Sequence, residues 1–403
     1  MSVLDRTAFD AFLKKVYVNG VPANVAMRKK VALKWMKRKD DLDGKSLTIP
    51  LTYANVAGRS ATITNLVDGG TGQGPAKRTA FEITAVADYA SINIDAQTMM
   101  ASRSNVGAFG MARKAEIDSM LDELAKSLEI GLWGNGSGSL GQRSSVSGEV
   151  ITLVNARDAR NFYAGQLIRA SATETGGSLR AGSAATVASV DQDAGTVTLA
   201  TGGVAGITTF SDNDYLYADG DYDLKVKGFA AWLPLTAPSS TSFFGVNRTL
   251  NMQGLAGHRL NSSTNTIEEN IMQLTERIVD FGGSPDTCFI SHSNFTTLSK
   301  SVGSKIEYAE GGGEATVGFE GIRIATSAGT IKVIPAPYCP DNRGYVLQSD
   351  TWILHTLGEV PHIVQDDGLM ARAARTTDGV EVRARYYCQP ACSAPGWNGV
   401  FAI

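Results

Sequence analysis

The sequence has little of what metal and redox chemistry need: 4 cysteines and 4 histidines in 403 residues. Cysteines at 288, 339, 388 and 392 cannot staple so long a chain, which excludes a disulfide scaffold. Cys388-x3-Cys392 has neither zinc-ribbon spacing nor a second pair. No signal peptide and no apolar run near 18 residues occurs, so membrane association is not expected and folding is expected in a reducing cytoplasm. A large charge of one sign is also missing: the formal net charge of -3 excludes a general polyanion-coating protein. There is no H-x-x-x-H or H-E-x-x-H pair, no G-x-S-x-G elbow and no G-x-x-x-x-G-K-[ST] loop. Asp212-Asn213-Asp214 and Asp221-Tyr222-Asp223 lack the calcium-loop pattern and read as turns. No cofactor and no metal is expected. Cys288 and His292 are the best enzyme candidates, weighed against a helix cap made by Ser291 or Ser293.

What is present is architecture. The 39 residues up to Lys39 hold ten Lys or Arg against Asp5 and Asp10, a balance of +8, which leaves -11 for the remainder of a chain at -3. The amino end therefore reads as a basic arm (1–45) with two short helices, at 8–16 and 24–39. Within it Arg28, Lys29, Lys30, Lys34, Lys37 and Arg38 are candidates for contact with nucleic acid or acidic neighbours, since phosphates are neutralised without sequence readout. Residues 46–94 alternate like strands at 47–53, 61–66 and 80–94 around the glycine-rich linker 68–75. That describes an extended hairpin with a polar tip. Two strands alone are not stable in water, so a neighbouring subunit is expected to cover it.

Residues 95–148 contain a long helix and a linker. Ile117, Leu121, Leu124, Leu128 and Leu132 share one helical face, while Lys114, Glu116, Asp118, Asp122, Glu123 and Lys126 fit a solvated or partner-facing side. The pattern ends at Gly134-Asn135-Gly136, where left-handed backbone is tolerated. Gly/Ser-rich text at 134–147 reads as a linker. Short alternating runs at 150–154, 166–170, 185–190, 196–199 and 215–217 then mark a β-barrel or sandwich inserted at 149–222. An irregular connection (223–265) leads to a helix start at Thr264-Asn265-Thr266 and to an α/β lobe (266–356) with strands at 287–291, 321–326, 330–335 and 344–348. The last segment (357–403) supplies strands that return toward the long helix. The fold class is α+β.

Taken together, a basic arm, a glycine-tipped hairpin, a long helix, an α/β lobe and returning strands resemble the major capsid proteins of tailed bacteriophages with the HK97-type fold. The passages DTCFISHSNFTTLSKSVG and GFEGIRIATSAGTIKVIPAPYCPDNRGYVLQSDTW are similar to that family's late helix and strands. The resemblance implies an N-arm, an E-loop hairpin with a P-domain strand, a spine helix, an A-domain and a P-domain of returning strands, with 149–222 as an insertion domain. It implies a structural protein, not an enzyme, that forms hexamers and pentamers of an icosahedral virion head around double-stranded DNA, assembled in the host cytoplasm. Portal, scaffold and cement proteins are implied partners. No charged coiled-coil segment precedes the arm, so a fused scaffold is not expected. Arg59, Lys77 and Arg78, around the hairpin tip, are candidate contacts to acidic surface on an adjacent subunit. Alternatives are an encapsulin-like nanocompartment shell, a nucleic-acid-binding protein and a soluble hydrolase using Cys288 and His292.

Overall fold

The computed structural model describes residues 30–56, 59–64, 74–97, 114–261, 264–301, 322–365, 368–369, 371–374 and 378–403 in full, and the backbone of 3–4, 106–113 and 302. Arg28, Lys29 and the helix expected at 8–16 lie outside these residues. The chain divides into two compact units, Met1–Glu129 with Leu233–Ile403, and Ile130–Trp232.

In the first unit a seven-stranded sheet is built around one long strand, Gly379–Cys392. Val86–Asp95 runs antiparallel along most of it, from Val86↔Cys388 to Asp95↔Gly379. Trp352–Thr356 covers its other end, and His362–Ile363 and Arg372–Ala373 add short pairings. The outermost partners are parallel: Val3–Leu4 on Val86–Asp95, and Lys37–Asp40 on Trp352–Thr356. The second sheet has six strands in the order His258–Leu260, Gly399–Ala402, Arg343–Leu347, Thr287–Ile290, Gly329–Pro335, Ile322–Thr326. Helix Ile267–Asp280 starts with a capping box, Thr266 and Glu269 each bonding the other's backbone N–H. It buries Ile267, Ile271, Leu274 and Ile278 on this sheet beside Phe289's neighbours Cys288 and Ile290. Gly399 permits that approach: a Cβ there would stand 2.7 Å from Leu274.

Several expected boundaries move. The 24–39 helix is reduced to Val31–Trp35, because Met36 turns to extended backbone and Lys37–Asp40 joins a sheet. The run at 80–94 breaks at Thr84 and Ala85 into Lys77–Ile83 and Val86–Asp95, which serve different sheets; alternation continues across a change of partner and hides it. The strand expected at 61–66 is absent from its described part: Thr62 N–H bonds Ser60 Oγ at 3.2 Å, a local turn, and Ile63 is exposed. Trp352–Thr356 belongs to the seven-stranded sheet, whereas Gly399–Ala402 lies in the six-stranded one, so the division at 356/357 cuts across both.

The long helix spans Val106–Trp133, 28 residues, about 42 Å at 1.5 Å per residue. Ile117, Leu124, Leu128 and Leu132 are buried, as is Met120, while Leu121 is half-buried.

The second unit is a closed six-stranded barrel, ordered Thr196–Leu199, Val150–Leu153, Ser139–Ser147, Tyr215–Ala218, Leu167–Ser171, Ala185–Asp191. Ser139–Ser147 corrects the linker reading. Its serines look like linker text, but Leu140 enters the core and Arg143, 6% exposed, stacks 4.2 Å over Phe210. Asp214 of the acidic turn is engaged by Arg180 through two bonds of 2.9 and 2.7 Å and by Ser211 N–H. No cluster of metal-ligating side chains occurs among the described residues.

Candidate assembly surfaces

The hairpin pairs Leu47–Ala54 with Lys77–Ile83, in register from Leu47↔Ile83 to Thr52↔Arg78 before a bulge sets Ala54 opposite Lys77. Its base is anchored within the chain. Phe81 and Ile83 are fully buried, Phe81 stands edge-on to Phe243 with centroids 6.3 Å apart, and Glu82 N–H bonds Phe244 O at 2.9 Å. Asn251 Nδ2 donates to Tyr53 O at 2.8 Å. The expectation that only another subunit covers the hairpin is therefore corrected at its base: the segment 243–251 does so. Farther out, Val56 and Ile63 are 70% and 75% exposed. Arg59, Lys77 and Arg78 are exposed with them and form no ion pair among the described residues. Exposed aliphatic carbons beside cations are what a partner surface would bury.

The end of the basic arm is fastened to the long helix by a residue that sequence reasoning missed. Glu129 is fully buried, and its carboxylate accepts the N–H groups of Val31 (3.0 Å), Ala32 (2.9 Å) and Leu33 (2.9 Å). These are donors that a helix start leaves without internal partners, and the helix dipole favours an anion there. Lys30 forms an ion pair with Asp122 one face-turn away. Burial lowers the Lys30 ammonium pKa, with the charges of Glu129 and Glu123 pulling the other way. Along this stretch the polar side of the long helix is thus covered by residues 30–33. Trp35 completes the clasp, edge-on to Phe289 at 5.2 Å with Nε1 donating to Thr287 Oγ1. The signal in the sequence was only the spacing of Asp122, Lys126 and Glu129 on one face, which also fits solvent.

The candidate basic residues separate. Lys34 and Lys37 are exposed. Arg38 donates to Val360 O at 3.2 Å, and Lys30 is engaged as above. Next to the edge strand, His355 Nδ1 and Asp41 Oδ1 are 2.5 Å apart and Lys39 Nζ is 2.9 Å from Asp41 Oδ2. Burial raises the Asp41 pKa, but the hydrogen bonds from His355 and Lys39 outweigh it and hold the carboxyl below its ordinary value.

Residues 182–377 match the sequence model of the SU10 major capsid protein family. In shape the whole chain is similar to the capsid asymmetric unit of cyanophage A-1(L), with TM-score 0.56 and 10% identity over 96% of each chain. The chain is a major capsid protein. It has the HK97-type fold, builds an icosahedral shell from copies of itself and resides in the virion. The capsid of a native GTA particle aligns at TM-score 0.48 and 9% identity, covering 100% of this chain and 99% of that one. The SrpI encapsulin of Synechococcus elongatus aligns at 0.46 and 8%, covering 100% and 96%. No curated protein matches the sequence.

A capsid protein is not an enzyme, and the geometry of the one enzyme candidate accords with this. Cys288 is wholly buried in a central strand, and burial pushes its thiol well above the ordinary range, so no thiolate is offered. His292 is the first residue of helix His292–Val302, and Ser291 Oγ accepts Asn294 N–H at 3.3 Å, the cap. No described helix is long and apolar enough to cross a membrane.

Proposed function

We propose that the protein assembles as hexamers and pentamers into the head of a tailed phage, encloses double-stranded DNA, and does so in the host cytoplasm with portal, scaffold and cement proteins as partners. One observation carries the proposal: an HK97-type core with its own buried interior bears a hairpin whose base is packed but whose outer part exposes Val56, Ile63 and three cations, Arg59, Lys77 and Arg78. Those groups find burial and counter-charge on acidic surface of an adjacent copy, and many such weak contacts together close a shell. The barrel is the insertion domain. Lys34 and Lys37, with Arg28 and Lys29, face the packaged DNA; Lys30 and Arg38 already have partners in the chain and contribute less.

Negative-stain microscopy of the purified chain, and of lysate after co-expression with a scaffold protein, tests the assembly. Closed shells with five-fold vertices are expected, and phage-derived shells should hold nuclease-protected DNA. Shells that enclose a protein cargo and no nucleic acid would favour a nanocompartment instead. Dispersed protomers under every condition would overturn the proposal.

A further inference from the structure

One end of the six-stranded sheet carries aromatic and cationic side chains that the fold leaves half-open. Phe281, at the C-cap of helix Ile267–Asp280, is 44% exposed, and Trp397, in the turn Pro395–Trp397, is 37% exposed. Both are held by close backbone approach: a Cβ at Gly396 would stand 2.7 Å from the Phe281 ring, and one at Gly283 would stand 3.0 Å from Trp397 Cα. His258 lies edge-on to Phe281 at 5.2 Å. Arg277 Nη1 donates to Arg259 O at 3.1 Å. Burial, then the charge of Arg259, lowers the Arg248 pKa to about 10. Among the described residues Arg259 Nε and His258 Nε2 are buried without a hydrogen-bond partner. Charges felt by His258 come from Arg277, Arg259 and Asp280, so cations outnumber the carboxylate.

We infer that this surface seats a carboxylate-bearing loop of a second copy of the chain, with Phe281 and Trp397 flanking the loop and Arg259 and Arg248 meeting its acid. Trp, Phe and Arg are the residues in which interface hot spots are rich. A guanidinium crowded by a like charge gains most from an anion, through short charge-assisted bonds. The occupant follows from charge: residues after Lys39 carry a net -11, so a neighbouring copy presents an excess of carboxylates. In a shell of one protein the nearest surface is another copy, and in that respect the inference rests on the capsid assignment.

Hydrogen–deuterium exchange of peptides covering 277–283 and 394–398, in unassembled chain and in shells made from this chain alone, tests it. At least tenfold slower exchange is expected in the shells. Arg259→Glu, on an edge strand, should leave circular dichroism and melting unchanged while cutting shell yield at least tenfold, with Arg259→Lys intermediate. Phe281→Ser gives the same reading should the charge reversal disturb folding. Equal exchange in both states, or normal shells from both variants, would overturn the inference. So would protection that appears only in virions carrying other proteins, which would assign the seat to one of those. If the unaltered chain forms no shell, the capsid reading fails and takes the seat with it; if shells form with the seat unprotected, this inference alone fails.

Discussion

Glu129→Gln isolates how the arm is held to the long helix. The carboxylate is fully buried and accepts three backbone N–H groups at 2.9–3.0 Å. A hydrogen bond to a charged group contributes about 1.5–3 kcal/mol net, and an orphaned buried donor costs about 1–3 kcal/mol. Glutamine keeps one acceptor oxygen but loses the charge and the second, so about 2–4 kcal/mol should be lost locally; alanine, which orphans all three donors, should reach about 3–5 kcal/mol. Two compact units make a single melting transition a poor reporter. The suitable assay is amide exchange at Ala32 and Leu33 in unassembled protein. A loss of about 2 kcal/mol corresponds to roughly 30-fold faster exchange, with amides in Ile267–Asp280 unchanged. Wild-type exchange rates at Ala32 and Leu33 in Glu129→Gln would refute the view that this carboxylate is the clasp.

Charge reversal of Arg59, Lys77 and Arg78 together should block or misdirect assembly while circular dichroism of the protomer stays intact; normal shells by microscopy would contradict their role at the hairpin. The acid limb of stability should depend on Asp41. A carboxyl held below its ordinary value stabilises the fold above about pH 3.9, and this contribution is lost as pH falls through the lower folded value. Melting followed by fluorimetry should therefore fall more steeply below pH 4 in the wild type than in Asp41→Asn, which starts less stable at pH 7; identical slopes would count against the His355–Asp41–Lys39 group. All 4 cysteines are buried, and burial raises the thiols of Cys288, Cys388 and Cys392, the last to about 12. Thiol reagents at pH 8 should leave the folded chain unlabelled and modify all of them in guanidinium chloride; rapid labelling of native Cys288 would revive the nucleophile reading.

The elements that were legible in the sequence are those whose own residues settle their burial. The 3.6 period of Ile117, Leu124 and Leu128 specifies a helix face wherever it packs, and the Thr266–Glu269 box marks a start by local hydrogen bonding alone. What was not legible depends on a distant partner. Lys37–Asp40 is four consecutive polar residues and becomes a strand because Ile353–Thr356 offers a free edge. Arg143 reads as linker chemistry until Phe210 and Asp212 are brought beside it. Glu129 is an ordinary helix glutamate until the start of another helix, nearly a hundred residues away in the chain, is set against it. Arg59, Lys77 and Arg78 were found by their place around a polar tip, and their exposure together follows from the bulge near Thr52 as much as from the pattern.

Sedimentation velocity of the purified chain, run across concentration and ionic strength with and without a scaffold protein, probes most directly whether this polypeptide completes its buried surface on copies of itself. A cooperative shift from slow protomers to large closed particles is expected. A single slow species under every condition, with the hairpin already resistant to protease, would contradict it.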